Sequence, residues 1–180
     1  MTNDERIRIL SDLKKIERSD ILHLTFDIRH LFIMCRLLTV KSEAPFAIGP
    51  HLEKFSQIAK SSKEFQGHGW GCAYQDPAGQ WRFYRNIKPV WEDDLDRFGE
   101  TSLLVAHARS AFEDKYIVVE NNMPFSDGLT VFIFNGELRG VKIRAEGRIG
   151  AEKIFNTIRR FDRGDTRQAL TRAVAIIKRR

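Results

Sequence analysis

Cysteine is scarce in this chain. Cys35 and Cys72 are the only two in 180 residues, so no disulfide framework is expected, and a reducing, cytoplasmic setting is the default reading. No signal-peptide pattern of charged, apolar and small residues is present, which agrees with that setting. Long apolar runs are missing too. Residues 21–40 are broken by Asp27, Arg29 and two histidines, which argues against a membrane span. Repeats, low-complexity tracts, metal-ligand spacings and glycine-rich phosphate loops are all absent, so no metal and no cofactor is expected. Acidic residues are the minority charge, 24 against 30 basic ones, for a net charge of +6 and a pI near 9.5. The basic residues are scattered up to the C-terminal region, so a solvated surface is their first reading.

What is present suffices for one domain with a real core: 42% hydrophobic and 30% charged residues. Ile7, Ile9, Leu10, Leu13 and Ile16 share one face of a short amphipathic helix within residues 1–20. Residues 1–34 read as an N-terminal extension, either a propeptide or an over-long start, and residues 35–180 as the domain proper. Strand texture is expected at 36–40 and a helix at 51–61. A hairpin with arms to either side of 76–79 follows, then a short acidic helix at 91–98 and an apolar strand at 101–107. Further strands are expected at 116–119 and 129–134, the latter joined through Asn135-Gly136 to an arm at 137–143, and helices at 151–161 and from 166 onward.

Met34-Cys35-Arg36-Leu37-Leu38 reads like the start of a protein placed inside another. If synthesis began at Met34, trimming of the methionine would leave Cys35 first. Its own α-amine, with a reference pKa near roughly 8, could then take the thiol proton. Taken alone, Cys35 is as well explained as a core thiol.

Four features follow in order: Cys35; His107-Ala108-Arg109 ending a strand; Asn121-Asn122-Met123-Pro124-Phe125 in a loop; and Phe134-Asn135-Gly136 in a hairpin. With His68-Gly69-Trp70-Gly71, they resemble the class II glutamine amidotransferase domain, an N-terminal-nucleophile hydrolase, from Met34 to about residue 158. The resemblance implies an α+β fold, a four-layer αββα sandwich, and hydrolysis of L-glutamine to glutamate and ammonia through a thioester on Cys35. The ammonia would pass to an acceptor, carried by a partner subunit since no acceptor module fits in this chain. Asn135 and Gly136 would supply the oxyanion hole, and Arg109 would hold the substrate carboxylate. Asn121, Pro124, Phe125 and Glu152 would complete the substrate site.

Three departures stand beside it. Gly150 falls where the family carries an acid for the α-ammonium group, so either Glu152 or Glu146 substitutes or the substrate differs. Met123 stands where a His often precedes Pro-Phe. The stretch after Cys35 is also short for the family. The sandwich would therefore be pared down, truncated at its C-terminus, or completed by another chain, and an open sheet edge would favour a homo-oligomer.

Bland readings remain open: Asn135-Gly136 as a plain tight turn, Arg109 as a surface charge, and Cys72 as a packed strand residue. Nothing in spacing singles out His68 or His107 with Cys72 as a Cys–His dyad. A non-catalytic binding or regulatory protein of the same fold is the alternative function. Nucleic-acid binding through Arg159, Arg160, Arg163, Arg167, Arg172 and Lys178 to Arg180 has less behind it, because no aromatic platform beyond Phe161 interleaves that cluster.

Overall fold

The computed structural model describes residues 8–9, 21–27, 35–111, 114–136 and 142–178. Among these residues it is an α+β protein with two four-stranded sheets and three α-helices. The first sheet contains β3 (Arg36–Ala47), β4 (Trp70–Gln75), β5 (Trp81–Asn86) and β6 (Glu100–Ala108), in the order β3-β6-β4-β5 and antiparallel throughout. The second, ordered β1-β2-β8-β7, contains β1 (Arg8–Ile9), β2 (Ile21–Asp27), β7 (Phe125–Ser126) and β8 (Val131–Asn135). The helices are α1 (Ile48–Lys60), α2 (Gly150–Phe161) and α3 (Thr166–Lys178).

Side-chain alternation along β6 sorts the core into two clusters. Leu104, Ala106 and Ala108 face α1, whose Ile48, Leu52, Phe55 and Ala59 recur at helical spacing and are all buried. Leu103 and Val105 face the opposite way, into a cluster shared with β8 and with Ile154, Phe155 and Ile158 of α2 and Leu170 of α3. β8 is buried on both faces. Phe132 stacks on Phe155 at 5.3 Å between ring centroids, which turns Val131 and Ile133 toward the first sheet. The packing thus runs from α1 through the first sheet and β8 to α2 and α3.

Several elements differ from expectation. Helix α1 begins at Ile48, not near residue 51, because Pro50 fits the first turn, where its missing N–H has no intrahelical partner to lose. Strand β3 runs on to Ala47, with its register broken between Lys41 and Phe46, and that irregular stretch accommodates Pro45. Residues 91–98 form no α-helix, only a 3₁₀ turn at Val90–Glu92. Residues 116–119 are not a strand: Asp114 and Tyr116 take left-handed backbone angles (φ 52° and 58°) and a 3₁₀ turn follows at Val119–Asn121. The hairpin at 76–79 forms as expected. Asp76 accepts hydrogen bonds from the Ala78 and Gln80 N–H groups, and Gly79 takes the positive φ of 76°. Ile21–Asp27, within the expected extension, lies parallel to β8 over five paired positions. Most of the expected helix within 1–20 and the arm 137–141 fall outside the described residues.

The glycines of His68-Gly69-Trp70-Gly71 are explained by close approach. A Cβ on Gly71 would sit 2.5 Å from the Met123 carbonyl oxygen, and one on Gly69, already at φ 104°, would meet the Asn122 amide at 2.2 Å. The motif lets β4 press against the loop that carries Asn122 and Met123.

Candidate active site

Cys35 immediately precedes β3, and the antiparallel register sets Arg36 opposite Ala108, the last residue of β6. That pairing brings Cys35 beside Arg109 and Ser110. The Ser110 N–H donates to Cys35 Sγ at 3.3 Å, and the thiol faces the Ser110 carbonyl at 3.6 Å. A cavity of about 500 Å³ opens there, and Cys35, Arg109, Gly136 and Gly150 all line it, although they span 115 positions of the sequence.

Burial pushes the Cys35 thiol above its usual pKa, outweighing the Ser110 N–H and the Arg109 charge, both of which favour the thiolate. As a nucleophile it therefore needs a base. Neither His68 nor His107 supplies one. His68 is committed elsewhere, its Nδ1 accepting from the Ala111 N–H at 2.9 Å and its Nε2 lying 3.0 Å from Asp114. Cys72 is fully buried under α1, where burial pushes its thiol up to about 12. The structure thus places His68 and Cys72 in structural roles.

His107 is fully buried in the cavity wall. Burial drives its pKa down to about 3, helped by the Arg109 charge against a smaller opposing pull from the Phe134 backbone. The linkage has a definite sign. Below about pH 6.5 the unfolded chain takes up a proton that the folded chain refuses, so stability falls with pH until about 3, where both forms are protonated. Between pH 6 and 5 this single group is expected to cost about 1 kcal/mol. Urea midpoints of the wild type and His107→Leu across that interval check it: the substitution should flatten the slope, and parallel slopes would contradict the assignment.

Arg109, 6% exposed, donates through Nη1 to the Tyr116 carbonyl at 2.9 Å and through Nη2 to the Lys115 carbonyl at 3.4 Å. Among the described residues no carboxylate pairs with it. Asn121 does not line the cavity. Its Nδ2 donates to the same Tyr116 carbonyl at 2.9 Å, so it helps to hold the left-handed turn that puts Lys115 and Tyr116 on the cavity wall. Pro124 and Phe125 do not line the cavity, Phe125 being buried against Phe155, whereas Met123 does.

Asn135 ends β8 with its side-chain oxygen buried and, among the described residues, unpartnered, next to Gly136 on the cavity wall at φ 139°. Glu152 is also outside the cavity lining. Its carboxylate accepts from the Arg148 N–H at 2.6 Å and from the Arg148 guanidinium at 2.7 and 3.1 Å, which locks the start of α2. Those contacts hold the Glu152 carboxyl below its usual range. The sequence reading missed Lys115, Lys142, Arg148 and Lys153, which also line the cavity; scattered among other charges, they carry no signal that separates them from solvated surface.

No family model matches the chain, and no curated protein matches it. Among the described residues no helix is long and apolar enough to cross a membrane.

Proposed function

We propose that the chain is an amidohydrolase of the class II glutamine amidotransferase type, releasing ammonia from a carboxamide by attack of Cys35 and passing it to an acceptor on a partner. The observation that carries this reading is the meeting of Cys35, Arg109 and Gly136 on one cavity, with Asn135 adjoining. The order of packed layers agrees with an αββα sandwich of the N-terminal-nucleophile kind. The thiol attacks the amide carbon, the Gly136 N–H and the Asn135 amide receive the developing oxyanion, ammonia leaves, and water cleaves the thioester. The missing base is the α-amine that Cys35 gains when residues 1–34 are absent. Ammonia release from carboxamides, compared between the wild type and Cys35→Ala, tests the reading.

One observation favours the alternative, a non-catalytic protein of the same fold. β2 lies within residues 1–34 and pairs along β8, as expected of a segment that stays attached. In a chain that keeps it, Cys35 has no amine to use.

A further inference from the structure

We infer that the cavity at Cys35 takes the monoamide of a dicarboxylic acid that lacks an α-ammonium group, glutaramate being the simplest example. This rests on the amidohydrolase reading and names the substrate class of the same site.

The charge of the lining is the first ground. Arg109, Lys115, Lys142, Arg148 and Lys153 line the cavity, and among the described residues no Asp or Glu does. Arg148 is neutralised by Glu152, but Arg109 is buried and, among the described residues, bonds only backbone carbonyls. A buried guanidinium without a carboxylate beside a cavity suits a carboxylate-bearing ligand.

The second is that, among the described residues, no carboxylate of the lining offers a partner for an ammonium group. Glutamine carries a cation two bonds from its carboxylate, so Arg109 cannot hold the one without drawing the other among like charges. Glu152 cannot offset this, because its carboxylate is taken up by Arg148 away from the cavity lining. Glu146 is exposed and also outside it. At the cavity wall, position 150 is a glycine whose added Cβ would meet nothing within 4 Å, so there is room for a carboxylate, and among the described residues none is supplied. The buried ring of His107, neutral at ordinary pH, adds no negative charge.

The chemistry balances with water alone. The C–N bond breaks as the carbon–sulfur bond forms, ammonia leaves with the thiol proton, and water then replaces sulfur to give glutarate.

The test uses the protein as its native host leaves it, expected to begin at Cys35, with calorimetric titration of the two products, glutarate and L-glutamate, beside ammonia release from glutaramate and L-glutamine. Glutarate is expected to bind at least tenfold tighter, and glutaramate to be the better substrate. Gly150→Asp should shift the preference at least tenfold toward the amino acid, since an acid in the first turn of α2 is favourable there. Gly150→Asn, with the same shape and no charge, should not. If L-glutamate binds as well as glutarate, or L-glutamine is hydrolysed as readily as glutaramate, the inference fails while the amidohydrolase reading stands. If no amide releases ammonia in a Cys35-dependent way, that reading fails and the inference with it.

Discussion

Ammonia release by Cys35→Ala, measured with both L-glutamine and glutaramate, is expected to fall by roughly 10⁴-fold or more, the scale on which loss of a covalent nucleophile is felt. The size follows from what the sulfur does. It is the only described nucleophilic side chain in the cavity held between a backbone N–H and a guanidinium charge, and without it water would have to attack the amide directly. The cavity itself should survive, because Arg109 keeps its bonds to the Tyr116 and Lys115 carbonyls and β3 keeps its register with β6. Affinity for glutarate should therefore change little while turnover is lost. Unchanged ammonia release would remove Cys35 from the mechanism.

Trp70→Ala is expected to destabilise the fold by about 4 kcal/mol, in the range for truncating a large buried aromatic side chain. The indole is fully buried between the first sheet and α1, with Tyr84 at 5.3 Å and Phe98 at 6.0 Å between ring centroids. Its Nε1 donates to Asp93 Oδ2 at 2.9 Å, an oxygen that also accepts from the Tyr84 hydroxyl at 2.8 Å and Asn86 Nδ2 at 2.9 Å. Burial works against the charge on Asp93, yet these donors hold its carboxyl below the usual range, so removing one weakens a half-buried anion as well as opening a void. Urea denaturation at neutral pH measures the loss, and a change under about 1 kcal/mol would contradict this packing. Glycine, tryptophan and glycine in that motif thus serve the sheet and its neighbouring loop, while Cys35 and Arg109 serve the cavity.

Elements with strong local chemistry were legible in the sequence. The Asp76 turn, the apolar strand ending at Ala108 and the amphipathic faces of α1 and α2 follow from residue type and period. The order of Cys35, Arg109 and Asn135-Gly136 pointed to residues that the structure brings to one cavity or next to it. Tyr116 to Val119 misled because β-branched and aromatic residues read as a strand. There the backbone is instead turned back, with Arg109 and Asn121 both donating to the Tyr116 carbonyl. Glu152 looked like a substrate ligand because its pairing with Arg148 depends on how α2 starts, which spacing alone does not reveal. The basic lining of the cavity was hidden for a similar reason: Lys115, Lys142 and Lys153 come from separate segments, and only the packing of α2 beside the end of β6 assembles them.

The most direct measurement is the intact mass and N-terminal residue of the protein purified from its native host. A chain beginning at Cys35 is the expected result, since only then does the thiol, whose pKa burial has raised, gain an amine to take its proton. A chain that keeps Met1 or Thr2 and still binds glutarate would contradict the catalytic reading and leave a binding protein of the same fold.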